Sequence, residues 1–245
     1  MQTFHNVDGV QIPFDPDWAD IAISVSGGAD SALLAYLVCD IAYEHGITIH
    51  IINHVRMWKT RPWQQHDADQ VYNWLFQRFY HTRFKRHTNF IAPEIEYGNI
   101  GPNLTDEYGK QVSGDNIQQR AYAEFICHKH NISAYYNAVT RNPQLAFGNG
   151  MQERDIEPTY ENKHLEYMIH MGRVASHPFR FVDKAWVIKQ YKRLDLIDLL
   201  GITRSCEGEF KGTDYTNYEP GQYVPTCNEC FWCKERAWAI EQNEK

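Results

Sequence analysis

A glycine-containing loop near the N terminus separates an apolar segment from a segment of helical character, and this order restricts the fold more than any other feature. Residues 20–25 are mostly apolar, and residues 30–45 place leucine, valine and isoleucine at helical spacing. Residues 47–53 are rich in β-branched side chains, which predicts a second strand. A strand, a tight loop, a helix and a strand form a βαβ unit, which predicts a parallel sheet.

The same alternation continues along the chain. Further helices are predicted over residues 67–79, 116–130, 183–193, 195–200 and 231–242, with a strand over 132–139. We therefore expect an α/β fold with a doubly wound, largely parallel sheet, in which ligands bind at the carboxyl ends of the strands. Residues 141–161 contain Asn-Pro, Gly-Asn-Gly and Glu-Pro, so they are predicted to form an irregular loop that acts as a lid.

Composition and charge limit the class of protein. Hydrophobic residues make up 43% and charged residues 22% of the 245 residues, which is typical of a packed globular chain. No apolar run is long enough to cross a membrane, and the N terminus lacks the features of a signal peptide. We therefore expect a cytoplasmic protein without a membrane partner. Because the net charge is −7, we expect small substrates and no direct nucleic-acid partner.

The glycine-containing loop, Ser26-Gly27-Gly28-Ala29-Asp30-Ser31, is the strongest functional signal. It lies between a predicted strand and a predicted helix, where backbone N–H groups and the helix dipole can bind an anion. Hydroxyl groups of Ser26 and Ser31 can donate to phosphate oxygens, and Asp30 can bind phosphate through Mg²⁺. The alternative is a Gly-Gly turn in which Asp30 only caps the helix.

Four of the six cysteines lie close together near the C terminus. Cys227, Cys230 and Cys233 form a C-x2-C-x2-C pattern, and Cys206 lies upstream. Four thiolates complete a tetrahedral zinc shell, which predicts a structural Zn²⁺ site. An iron–sulfur cluster and four unligated thiols remain alternatives. The 12 histidines form no tight ligand pair and are interpreted as core or surface residues.

The loop at 26–31 resembles that of the N-type ATP pyrophosphatases, which cleave ATP between the α- and β-phosphates. Together with the cysteines, further segments of the chain are similar to one branch of them, the 7-cyano-7-deazaguanine synthases of queuosine biosynthesis. These segments are His177-Pro178-Phe179, Asp183-Lys184, residues 200–206 and Arg236. The resemblance implies an adenine nucleotide α-hydrolase-like domain over residues 1–200 and a zinc-binding lobe over residues 201–245.

The resemblance also implies a reaction. A carboxylate on 7-carboxy-7-deazaguanine is activated by ATP as an acyl-adenylate, and ammonia converts it to an amide. A second ATP activates the amide, which collapses to the nitrile; AMP- or ADP-type products leave with pyrophosphate or phosphate. The partners implied are therefore the deazapurine and ammonia, and the sequence is compatible with a homodimer.

The resemblance assigns roles to individual residues. Asp30 and Lys184 are implied to be catalytic, with Lys184 stabilising charge on the departing pyrophosphate. The implied ATP-binding residues are Val25, Ser26, Gly27, Gly28, Asp30, Ser31 and Asn53, and the implied metal ligands are Cys206, Cys227, Cys230 and Cys233. Two other functions remain open: another adenylating transferase, such as a nucleic-acid thiolase, and a nucleotide-binding module without catalysis.

Overall fold

The computed structural model describes residues 3–56, 63–91, 114–141, 165–168, 173–206, 208 and 223–244. The strands are β1 Thr3–Val7, β2 Val10–Phe14, β3 Asp20–Ser24, β4 Thr48–Arg56, β5 Phe84–Ile91, β6 Ala134–Tyr136, β7 Leu165–Met168 and β8 Arg173–Ser176. The helices are α1 Ala29–Tyr43, α2 Gln64–Arg78, α3 Gly114–Lys129, α4 Lys184–Arg193, α5 Ile197–Ile202 and α6 Phe231–Gln242.

One six-stranded sheet organises the fold, with the strand order β5-β4-β3-β6-β8-β7. Neighbouring strands from β5 to β8 pair in parallel, and β7 pairs antiparallel with β8 at the edge. The order in which strands are added switches sides at β3. β4 and β5 lie on one side of β3, and the later strands lie on the other. The expected doubly wound, largely parallel α/β sheet is confirmed.

The two faces of the sheet bury different side chains, because residues alternate along a strand. Ile21 and Ile23 of β3 pack with Ile49 and Ile51 of β4 against the apolar helix α1, within the main core cluster. On the other face, Ala22 and Ile52 pack against α3 in a smaller cluster. Because both faces of the sheet are covered, β4 is buried from Thr48 to Val55, including its polar residues.

Most of the predicted elements are confirmed, while the strands β1, β2, β5, β7 and β8 were not predicted. β1 and β2 form an antiparallel hairpin around Asp8 and Gly9, both at positive φ, and this hairpin was not predicted. β5 was not predicted either, because its basic and polar residues lack the apolar alternation of a half-buried strand. The predicted lid over 141–161 lies outside the described residues beyond Arg141.

None of the described helices is both long enough and apolar enough to cross a bilayer.

Candidate nucleotide site and cysteine cluster

The loop between β3 and α1 is held by hydrogen bonds between its own residues. Ser31 Oγ accepts a hydrogen bond from Ser26 N at 3.1 Å and donates one to the Gly28 carbonyl at 3.1 Å. The two hydroxyl oxygens, of Ser26 and Ser31, lie 3.1 Å apart. Both serines therefore shape the loop, while Gly28, the N-cap of α1, provides no side-chain acceptor for the first-turn N–H groups. Those N–H groups are the donors that an anion can use.

Gly27 brings the loop into close contact with the start of α2. Its φ is +81°, and a Cβ atom placed on it would lie 2.5 Å from Asp67 Cβ at the start of α2. The Gly27 carbonyl accepts a hydrogen bond from Arg204 N at 2.8 Å, just after α5. Glycine is required here for both conformation and space.

Asn53 fixes the beginning of the loop from the adjacent strand. Its side chain is fully buried, and Nδ2 donates to the Val25 carbonyl at 2.8 Å. Val25 N donates in turn to the Ile52 carbonyl at 2.8 Å, which extends the pairing of β3 and β4 by one residue. Asn53 and Val25 therefore lie at the predicted site, where they position its backbone.

Lys184 and Asp30 meet although they are far apart in sequence. Lys184 begins α4 and is only 2% exposed, and its Nζ contacts Asp30 Oδ2. Glu235 of α6 is also fully buried, with Oε2 at 3.8 Å from Lys184 Nζ. Asp30 Oδ1 is buried and accepts no hydrogen bond within the described part of the chain. Lys184 is thus a buried cation between two carboxylates.

Arg204 and Asp67 complete one wall of the site, and sequence reasoning did not assign a role to either. Arg204 is 8% exposed, its Nη2 donates to the Pro225 carbonyl, and its guanidinium lies 5.0 Å from the centre of the Trp63 ring. Its Nε is 3.9 Å from Asp67 Oδ2, and neither Nε nor Nη1 makes a hydrogen bond to a described residue. Burial raises the pKa of Asp67, opposed by the hydrogen bond to His66 and the charge of Arg204. Arg204 therefore has N–H groups to donate to an anionic ligand.

The four cysteines of the C-terminal pattern come together as predicted. Their sulfur atoms all lie within 4.8 Å of one another, and the Cys206–Cys227 and Cys227–Cys233 pairs are 3.5 and 4.0 Å apart. Zn–S bonds of about 2.3 Å place tetrahedral thiolates about 3.8 Å apart. A 4Fe–4S cluster needs wider spacing, because each thiolate binds a different iron atom and sulfides separate the irons. The donor set therefore fits a single ion.

Electrostatics within the cluster favour at least one thiolate. The interaction between the Cys206 and Cys230 side chains lowers the pKa of Cys230 to about 4 and raises that of Cys206. The other two cysteines, Cys39 and Cys127, are buried in helices, and burial raises the pKa of both thiols. The cluster thus differs chemically from the remaining cysteines.

The segment between α5 and the cluster is tied to the body of the fold by Arg236. This arginine of α6 donates to the carbonyl groups of Leu200 and Thr203 at 2.8 and 3.0 Å. Arg236 is therefore a structural residue, and it holds the segment that carries both Arg204 and Cys206.

Comparisons with known proteins concern the fold. The chain matches no protein-family model and no curated protein. It is similar to the U34-tRNA thiolase NcsA from Methanococcus maripaludis with its 4Fe–4S cluster, at 13% identity and a TM-score of 0.43, over 92% of this chain and 64% of that one. It is also similar to a 4-thiouridine synthetase in complex with RNA and ATP, at 16% identity and a TM-score of 0.44, over 82% of this chain and 48% of that one.

A third similar structure is the NAD+ synthetase from Burkholderia pseudomallei, at 12% identity and a TM-score of 0.37, over 93% of this chain and 81% of that one. The chain thus spans less than two thirds of the length of the first two structures. The expectation that nucleic acid is excluded as a partner is wrong, because two of these structures are a tRNA thiolase and an RNA complex. The acidic net charge was an insufficient reason, since a protein of negative total charge can still carry a local basic surface.

Because of the Gly27 contact, substitution by alanine should destabilise the protein more at Gly27 than at Gly46, another glycine of positive φ. Gly27→Ala should lower the free energy of unfolding by about 3 kcal/mol, of which about 1 kcal/mol comes from φ and about 2 kcal/mol from overpacking against Asp67. Gly46 has φ +65° with nothing within 4 Å of an added Cβ, so Gly46→Ala should cost only about 1 kcal/mol. Urea unfolding of both variants measures the difference, and equal losses would contradict the close approach at Gly27.

Proposed function

We propose that the protein is an ATP-dependent adenylating enzyme of the N-type ATP pyrophosphatase kind. The observation that carries the proposal is the contact of the buried Lys184 with the partly exposed Asp30 in the first turn of α1. Burial of a lysine costs free energy, and a place beside a helix N-terminus with free N–H groups suits a group that neutralises phosphate charge. A lysine needed only for solubility would lie on the surface.

The phosphates of ATP fit the donors of the site. First-turn N–H groups of α1 point to the end of the loop, where Gly28 leaves them uncapped. Arg204 adds buried N–H groups that have no hydrogen-bond acceptor among the described residues. An anion accepting from both would remove the cost of leaving these donors unsatisfied.

We infer that Asp30 binds Mg²⁺ together with the phosphates. Its Oδ1 is buried without a hydrogen-bond partner within the described residues, while Oδ2 contacts Lys184. A hard cation prefers such a carboxylate oxygen, and when bound it neutralises charge on the pyrophosphate. Lys184 orients Asp30 and places a second positive charge where pyrophosphate leaves.

The reaction is an adenylyl transfer. An oxygen of the acceptor attacks the α-phosphorus, the bond to the bridging oxygen breaks, and pyrophosphate leaves with the electron pair. A nucleophile then attacks the activated carbon and AMP leaves. Lys184 and Arg204 stabilise the negative charge that accumulates on the leaving group, and the fixed loop holds the triphosphate in line.

For the acceptor, we propose 7-carboxy-7-deazaguanine with ammonia as the nucleophile, which forms the amide and, with a second ATP, the nitrile. This rests on the resemblance of the sequence segments that flank Lys184 and the cysteines. The second candidate is a nucleic-acid base that becomes thiolated, the chemistry of two of the similar proteins. The sulfur spacing of the cysteine cluster favours zinc over the cluster of the thiolase.

We also propose that residues 201–245 act as a lobe held on the α/β domain by structural Zn²⁺. The ligands would be Cys206, Cys227, Cys230 and Cys233, which leave no position for water, so the ion holds the chain and takes no part in catalysis.

Product analysis tests the reaction. We expect the protein with ATP, Mg²⁺, ammonium and 7-carboxy-7-deazaguanine to form AMP and the amide or nitrile of the base, detected by mass spectrometry. If AMP formed only with tRNA and a sulfur donor, the acceptor would be the nucleic acid and not the deazapurine. ATP binding without any AMP would contradict an adenylating enzyme and favour a nucleotide-binding module.

Asp30→Ala tests the site. We expect pyrophosphate release to fall at least about 1,000-fold, because the variant loses the carboxylate that binds Mg²⁺ and pairs with Lys184. Asp40→Ala changes an exposed aspartate of the same helix and should leave the rate unchanged. Pyrophosphate release and circular dichroism are measured on both, and a folded Asp30→Ala variant with full activity would refute the assignment.

Cys230→Ser tests the metal. We expect loss of about one zinc per chain, measured by atomic emission, and a lower Tm, because folding of such a segment depends on its ion. Cys127→Ala alters a buried cysteine outside the cluster and should retain the zinc. Equal zinc content in the two variants would contradict the zinc site. A brown, iron-containing protein would show that the cysteines bind an iron–sulfur cluster instead of zinc.

A further inference from the structure

Three histidines meet on the face of the sheet that α3 covers, opposite to α1. His50 lies on β4, His87 lies on β5, and His130 directly follows α3. His50 pairs with Lys85 and Ile52 pairs with His87, so alternation brings both imidazoles to the face on which Ile52 packs. One nitrogen from each ring lies within 4.8 Å of the others. Interpretation of the histidines as separate core or surface residues missed this cluster, because the fold brings them together from distant segments.

Hydrogen bonds set the orientation of His50. Its Nε2 is 2.8 Å from Asp20 Oδ1, so Nε2 carries the proton and donates it to the carboxylate. Nδ1 is then the atom with the free electron pair, and it lies 2.9 Å from His87 Nε2. The side chain of His50 is fully buried, which leaves it little freedom to turn. A histidine that donates to a carboxylate while its other nitrogen faces further histidines is the arrangement of metal-binding histidines.

Distances between the rings allow a common ion. Zn–N bonds of about 2.0–2.1 Å at tetrahedral angles place two nitrogens about 3.3 Å apart. The 2.9 Å between His50 and His87 is near this value, and the half-buried His130 ring has its centre 4.8 and 5.1 Å from the other two ring centres. The His130 nitrogen lies within 4.8 Å of the ligand nitrogens of the other two histidines.

Charges around the cluster must also be compatible with a cation. Lys85 and Lys129 are exposed and repel a metal ion weakly through solvent. Asp20 is the acidic group that faces them, with Oδ1 3.5 Å from Lys85 Nζ and 2.8 Å from His50. Its carboxylate supplies the negative charge that increases the basicity of His50 and offsets the nearby lysine.

We propose that His50, His87 and His130 bind a divalent transition-metal ion, for which Zn²⁺ is the commonest match to imidazole ligands, with Asp20 orienting His50. The ion joins β4, the neighbouring strand β5 and the end of α3. This site is separate from the cysteine cluster and does not depend on the proposed adenylation.

Zinc stoichiometry tests the proposal on the intact protein with its cysteines unchanged. After equilibration with micromolar Zn²⁺ and gel filtration, wild-type protein should retain one zinc per chain more than His87→Gln or His130→Gln. His128→Gln is the matched control, because His128 is an exposed histidine at the same end of α3 and should retain the wild-type content. Asp20→Asn keeps an acceptor for His50 but removes the charge, so affinity should fall about 10-fold.

A second measurement separates binding from folding. Zn²⁺ should raise the Tm of the wild type and of His128→Gln beyond the rise seen in His87→Gln, since only the first two bind the additional ion. Equal zinc content and equal Tm shifts in all of these proteins would overturn the proposal. Retention of the additional zinc in both His87→Gln and His130→Gln would also overturn it.

Discussion

The backbone of Gly27 is the point through which the separate parts of this protein are joined. Its carbonyl accepts the N–H of Arg204 at 2.8 Å, and its Cα lies against the first turn of α2 at Asp67. The contact is close because glycine has no Cβ, and any larger residue would push the loop away. The loop, α2 and the segment after α5 therefore have one fixed arrangement.

This contact connects the cysteine cluster with the candidate nucleotide site. Arg204 and Cys206 are separated by one residue, and Arg236 holds the preceding carbonyl groups. An ion on the four sulfur atoms would restrict the segment that positions both the Arg204 backbone at Gly27 and its guanidinium beside Asp67. A structural metal can thereby affect phosphate binding without contacting the ligand.

Sequence alone predicts the local parts of this arrangement. β3, the loop and α1 are consecutive, so their apolar pattern and glycines are sufficient, and the spacing of three cysteines predicts the cluster. Asp67 and Arg204 could not be assigned, because their role depends on the close approach of α2 to Gly27. The histidine cluster was missed because its three residues meet only through the pairing of β4 with β5 and the packing of α3 on the sheet. The hairpin β1–β2 was not predicted, although Asp8-Gly9 is a turn signal for such a hairpin.

The balance of charge in the site is compatible with the proposed ligand, ATP with its cation. Asp30, Asp67 and Glu235 are matched by Lys184, Arg204 and Arg236 around the loop. A triphosphate alone would add about four negative charges to a region where burial has already reduced screening. With Mg²⁺ on Asp30 Oδ1 the added charge is halved, and the N–H groups of α1 and Arg204 can accommodate the remainder. Under the proposed function, Lys184 would hold Asp30 in place without nucleotide and would become available to phosphate once a cation bound to Asp30.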